Sequence, residues 1–189
     1  MDPVRVSKFL ARILRHDPAS AGIILDANGW APAAEILAAI RRKFGPFDAA
    51  ALEKLVRDSD KQRYALSADR LRIRANQGHS LVVDLGLEPR LPPALLYHGT
   101  KAHLLPLIER DGLISGRRTH VHLSTDRETA AKVGNRRSGQ AIVLIVQSGI
   151  MHDHLFFRSV NGVWLTDHVP ARYLRPEQPG LSASQHSQA

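Results

Sequence analysis

Val6, Phe9, Leu10, Ile13 and Leu14 return at intervals of three and four residues in VSKFLARILRHD, with Lys and Arg between them. That spacing gathers one apolar stripe on one side of a helix. Arg15 and His16 fall at its end, where cations complement the helix dipole. After IIL and the turn-forming DANG, a second helix is predicted from about Pro32, a residue suited to a first helical position, through AAEILAAIRRKF. Gly45-Pro46 stops it, and Asp48 is placed to cap a third helix, AAALEKLVRD. KQRYAL and RLRIRA then read as two short strands joined by SAD, a hairpin. Three helices followed by a hairpin is the winged-helix order, a common nucleic-acid-binding arrangement.

The pattern changes after residue 85. GLEPRLPPA, residues 86–94, holds three prolines in nine positions and reads as a linker. Beyond it, ALLYHGT, HVHLS, AIVLIVQ and FFRSVNGVWLT look like strands, with helices at AHLLPLIERDG and DRETAAKVG. The expected architecture is α+β, with one lobe over residues 1–90 and a second, mixed α/β lobe over 91–178. The polar, Gly/Pro/Ser-rich end of the chain, residues 179–189, is expected to be disordered.

Charge adds a partner to this outline. The 189-residue chain carries a formal +8. Residues 1–90 hold 15 Lys/Arg against 11 Asp/Glu, and residues 91–189 hold 11 against 7. The excess is shared between the halves rather than confined to a tail, which suits a polyanion held between them, RNA or DNA first. A general solubility charge would give the same totals. No stretch approaches the roughly 18 apolar residues of a membrane helix. Nor does the N-terminus have the apolar run of a secretory signal. The chain has no cysteine, which excludes disulfides and thiolate metal sites and fits a reducing cytoplasm.

Several polar groups stand where ordinary loops need none. RANQGHS, residues 74–80, sets Arg74, Asn76, Gln77, His79 and Ser80 around Gly78, just as the chain leaves a predicted strand. The Arg fork matches phosphate oxygens, and the glycine lets backbone approach a ligand closely. In YHGT, His98 and Thr100 share one strand face with Gly99 between them; in RTHVHLST, Arg118, His120, His122 and Ser124 share another. His-x-His invites a zinc reading. It lacks a HExxH-type helix pair and an acidic third ligand at suitable spacing, as does HDH at 152–154, so no metal is expected. A flat amide and a ribose fit such a surface better. SVNGVWLT adds Asn161 and Gly162, although NG is also the common hairpin turn and Trp164 suits a core.

In order along the chain, LRHDP, GW, KQRYAL, IRANQGHS, YHGT, GL, RTHVHLS and NGVWLTDHVP resemble the RNA 2′-phosphotransferase family, over roughly residues 4–175. IRANQGHS and HVHLS carry most of the specificity. The resemblance implies a winged-helix RNA lobe followed by an ADP-ribosyltransferase-like lobe that binds NAD as co-substrate. It further implies removal of an internal 2′-phosphate from RNA through an ADP-ribosylated phosphate. The products are 2′-OH RNA, nicotinamide and ADP-ribose 1″,2″-cyclic phosphate. The family's Arg-His-Arg-Arg set falls on Arg15, His16, Arg63 and Arg118, with Arg117 the competitor for the last place. His98, Gly99, Thr100, His122, Ser124 and Asn161 match the NAD-binding face, although His122 can equally point into the core. Arg74, Asn76, Gln77 and His79 are the implied RNA contacts. A monomer needing no metal is expected. The alternatives are an ADP-ribosyltransferase that modifies nucleic-acid phosphate ends and stops after the first step, and a winged-helix binder without activity.

Overall fold

The apolar stripe of the first helix and its capping residue determine how the chain starts. In the computed structural model, which describes residues 2–59, 61–136 and 138–177, helix α1 spans Pro3–Arg15 and buries Val6, Leu10, Ile13 and Leu14. Asp2 caps it by accepting the Val4 N–H at 2.8 Å. Helix α2 is Ala33–Phe44. Helix α3, Ala49–Arg57, is capped by Asp48, which accepts the Ala51 N–H at 2.8 Å. Their apolar faces close over a core that includes Ile36, Ile40, Leu52, Tyr64 and Ile73.

Strands β1 (Trp30–Pro32), β2 (Tyr64–Leu66) and β3 (Arg72–Ala75) form an antiparallel sheet in the order β1-β3-β2. The hairpin of β2 and β3 stands where alternation predicts it. Strand β1 does not come from the pattern: its three residues are too few to show a period, and their pairing with Arg72, Ile73 and Arg74 extends them. Pro32 is therefore the last strand residue and the N-cap of α2, rather than its first helical residue. Its ψ of 126° suits the ladder.

Residues 86–94 contain no helix or strand. They are tacked to the second half by the Arg90 N–H on the Phe156 carbonyl at 2.8 Å and by Ser148 Oγ on the Pro93 carbonyl at 2.7 Å. The second half is mixed. Strand β4 (Leu96–Lys101) leads to α4 (Leu105–Asp111), β5 (Leu113–Ile114), β6 (Val121–Leu123) and α5 (Arg127–Gly134). Strands β7 (Ala141–Val146), β8 (Phe157–Arg158), β9 (Trp164–Thr166), β10 (His168–Val169) and β11 (Leu174–Pro176) follow. Sheets β11-β7-β4 and β6-β9-β8 are antiparallel, and β10 pairs with β5. Tyr97 and Ser124 exchange backbone hydrogen bonds at 2.9 and 2.8 Å, which joins the first two sheets edge to edge. A second core gathers Leu96, Leu123, Leu144, Phe156 and Trp164. The architecture is α+β, as the pattern implies. The tail expected to be disordered, 179–189, lies outside the described residues.

Helix α5 packs directly on β4. A Cβ built at Gly99 would lie 1.8 Å from the Ala130 carbonyl oxygen and 2.7 Å from Gly134 N. Both neighbours are backbone and cannot rotate away. Gly99→Ala should therefore lower stability by about 1–3 kcal/mol or more, the usual scale of overpacking, read as a fall in the urea midpoint. An unchanged midpoint would mean that α5 sits further from β4.

Candidate active site

A helix end leaves carbonyl groups without partners, and here the segment 76–80 supplies one. The Ser80 N–H donates to the Arg15 carbonyl at 2.9 Å, and Ser80 Oγ lies 3.0 Å from His16 Nδ1. Gly78 passes beneath Arg15 with φ at +90°, a conformation costly for any other residue. A Cβ there would stand 3.6 Å from Arg15 Nη1. The strap is therefore moulded to the last turn of α1.

Arg15 reaches across this strap. Its guanidinium donates to the Arg63 carbonyl at 3.4 Å and lies 6.0 Å from the Tyr64 ring centre, within range of a cation–π attraction. Arg63 itself is fixed by the Asn76 N–H on its carbonyl at 2.9 Å. The fourth member arrives from the other half. Arg118 sits between β5 and β6, and its neighbour Thr119 donates its N–H to the His79 carbonyl at 3.1 Å. A second tie crosses nearby: Asn161 Nδ2 donates to the Lys61 carbonyl at 2.9 Å.

The electrostatics show that these groups share one space. Burial pulls the Arg15 guanidinium below its ordinary value, and the charges of Arg118 and Arg63 push the same way against Tyr64. His16 is lowered by burial, then by Arg15 and Arg118. Arg118 also lowers His98 and His122, after burial in each case. Of the Arg117–Arg118 pair, it is therefore Arg118 whose charge reaches Arg15, His16, His98 and His122.

Four of the candidates, Arg15, His16, Arg63 and Arg118, are thus brought together from both halves. His98 and His122 line the adjoining strands. His98 Nδ1 is 3.0 Å from the His122 carbonyl, and His122 Nδ1 is 3.0 Å from the His120 carbonyl. His122 Nε2 is buried with no hydrogen-bond partner. Ser124 is half-buried at the junction with Tyr97, and Thr100 is buried on the His98 face of β4.

Other candidates are engaged elsewhere. Glycine at 99 serves the contact with α5, which closes that side of β4 to any ligand. The amide of Asn161 is spent on Lys61 and on Ser159, whose hydroxyl it accepts at 2.7 Å. Arg74 stacks 4.6 Å from the Trp30 ring centre and donates to the Leu85 carbonyl at 3.4 Å. Asn76 and His79 are 4% and 1% exposed. Asn76 Nδ2 donates to the Gln62 carbonyl at 2.5 Å, and a Cβ placed on Gly29 would lie 3.5 Å from His79 Nε2. Gln77 is half-buried beside Gly78. Residue types alone do not reveal the roles of Ser80, Thr119 and Lys61, because two of them act through backbone atoms and the third depends on where α1 ends.

A cluster of cationic side chains drawn from both halves, flanked by half-buried imidazoles, has the charge to suit a multiply charged anion. The comparison with known proteins is narrower. Residues 1–168 match the family described as "RNA 2'-phosphotransferase, Tpt1 / KptA family", and the chain belongs to that family. It is 51% identical over 170 residues to a probable RNA 2'-phosphotransferase of Agrobacterium fabrum, covering 89% of this chain and 91% of that one. A probable RNA 2'-phosphotransferase of Streptomyces griseus is 49% identical over 180 residues, covering 90% and 95%. One from Pseudomonas aeruginosa is 47% identical over 172 residues, covering 89% and 94%.

Burial sets a pH response. His79 is held down to about 4, by desolvation first and then by Arg15, His16 and Arg74. The unfolded chain takes up that proton near its ordinary value of 6.5, so it binds more protons than the folded state between the two values. Stability from His79 is complete above about pH 6.5 and is lost as pH falls towards 4, on the order of 3 kcal/mol in all. Urea midpoints measured from pH 8 to pH 4 should fall through that window and fall less in His79→Gln. Parallel curves for the two proteins would refute the assignment.

Proposed function

We propose that the protein removes an internal 2′-phosphate from RNA and transfers it to NAD, releasing 2′-OH RNA, nicotinamide and ADP-ribose 1″,2″-cyclic phosphate. The observation that carries this reading is the convergence of Arg15, His16 and Arg63 from one half and Arg118 from the other, the charges of Arg118 and Arg63 registering on Arg15 and those of Arg15 and Arg118 on His16. Family membership supports the RNA 2′-phosphate as substrate. The two cores support a division of labour. Residues 1–90, a winged-helix lobe, hold RNA. Residues 91–178, an ADP-ribosyltransferase-like lobe, hold NAD.

The side chains suit that task. A 2′-phosphate is already nucleophilic near neutral pH, so the site must orient it and shield its charge from a second anion. Three guanidinium groups do both, and they stabilise negative charge on the phosphoryl oxygens as the RNA oxygen departs. His16 is the candidate proton donor to that oxygen. Held below their ordinary value, His98 and His122 stay neutral and offer hydrogen bonds without adding repulsion. The orphaned Nε2 of His122 suits an uncharged ligand group, an amide or a ribose hydroxyl. His98, Thr100, His122 and Ser124 therefore form the NAD face, while Gly99 and Asn161 position it. NAD supplies the ribose that accepts the phosphate and the vicinal hydroxyl that frees it from RNA. Arg74, Asn76, Gln77 and His79 shape and stiffen the strap on which the RNA phosphate rests.

Incubation with NAD and a 2′-phosphorylated oligonucleotide should give free 2′-OH RNA and the cyclic phosphate. Accumulation of ADP-ribosylated RNA, with no 2′-OH formed, would identify an ADP-ribosyltransferase instead. Arg118→Ala should lose about 10²- to 10³-fold in kcat, the usual effect of removing one donor to developing charge, while Arg117→Ala stays near wild type. The reverse order would move the site to Arg117. Ser124→Ala should raise the KM for NAD more than that for RNA; equal rises would count against the division between lobes.

A further inference from the structure

The hydroxyl of Ser80 has one proton and two neighbours. Its oxygen is 3.3 Å from the Arg15 carbonyl and 3.0 Å from His16 Nδ1. A carbonyl can only accept, so the Arg15 carbonyl is a place for the hydroxyl proton whenever Nδ1 carries a hydrogen of its own. In the imidazolium, which has hydrogen on both nitrogens, the hydroxyl meets Nδ1 as an acceptor. The Ser80 N–H, which donates to the same carbonyl at 2.9 Å, fixes the serine in register with the end of α1.

We propose that Ser80 is a positioning residue for His16: it holds the ring as the Nδ1–H tautomer and reserves Nε2 for proton transfer to the departing RNA 2′-oxygen. This assignment rests on the phosphotransfer reading above. The protons balance without rearrangement. The ribose 2″-oxygen bonds to phosphorus as the bond from phosphorus to the RNA 2′-oxygen breaks; Nε2–H of the imidazolium passes its proton to that oxygen, which leaves as 2′-OH, and the proton given up by the 2″-hydroxyl passes to solvent. The neutral ring that remains still donates Nδ1–H to Ser80. Reprotonation at Nε2 restores the acid, and the ring never has to flip between turnovers.

The charged and titratable groups around His16 are known from each side. Arg15 and Asp17 flank it in the chain, Asp17 being paired with Arg12 at 2.7 Å. His79 approaches from the strap and Arg118 from the opposite half. Arg15 and Arg118 oppose an imidazolium, as does burial, so an acceptor on Nδ1 is the contact that favours the protonated ring.

Long-range ¹⁵N–¹H correlation spectra at about pH 8, where an ordinary histidine is neutral, read the tautomer directly. The wild-type protein should show His16 protonated on Nδ1, and Ser80→Ala should move it towards Nε2–H. An Nε2–H ring in the wild type overturns the proposal, whatever the enzyme does. In turnover, Ser80→Ala should lower kcat on the order of 10-fold, short of the full 10²- to 10⁴-fold effect of a general acid. The alkaline limb of its kcat profile should shift to lower pH, with the KM for NAD unchanged. Ser80→Thr keeps the hydroxyl and should restore both. Equal losses in the two variants, or an unmoved alkaline limb, would reduce Ser80 to a structural residue and overturn the proposal. An Nδ1–H ring in a protein that transfers no phosphate would refute the functional reading while upholding the tautomer.

Discussion

Like charges gathered in a half-buried space repel one another, and this repulsion is what the rest of the structure must contain. Arg15 lies within the field of both Arg63 and Arg118 while partly removed from water. Such an arrangement is unfavourable by itself and becomes favourable with an anion between the groups. The surrounding framework has to hold the cations in place before that anion arrives. It does so largely with backbone hydrogen bonds, which cost no charge.

The strap at 76–80 does most of this containment. Its backbone caps α1 through Ser80, holds Arg63 through Asn76, and accepts the loop of Arg118 through the His79 carbonyl. Three of the four cationic positions are thus referred to one short segment. Glycine at 78 allows the segment to pass under Arg15, and the buried ring of His79 anchors it beside Gly29. The Asn161–Lys61 bond closes the same junction from the other side.

Burial also divides the histidines by task. His79 and His122 are pushed to about 4 and about 3, mainly by desolvation. Both are neutral around pH 7. His16 is exposed at the helix end and is the histidine of the cluster best placed to exchange protons with solvent and ligand. One residue type thereby supplies an anchor, uncharged acceptors and a proton carrier, according to how much water reaches each ring.

The periodicity of the first helix, the cap at Asp48, the hairpin at β2–β3 and the proline-rich connection are all local features, and local features are legible in a sequence. So is the family, because IRANQGHS and HVHLS pair unusual residue types at fixed spacing. Strand β1 and the short strands β5, β10 and β11 were not legible: two or three residues carry no period, and pairing partners far along the chain extend them. The same limit applies at the site. The family resemblance matches Gly99 and Asn161 to the NAD-binding face; that the first also packs on Ala130 and the second also bonds to Lys61 shows only in the fold. Sequence left Arg117 and Arg118 undecided, and the fold set Arg118 among the other cations. Residue identity fixes what a side chain can do; only tertiary packing decides which partner it meets, because hydrogen bonding and desolvation depend on neighbours distant in the chain.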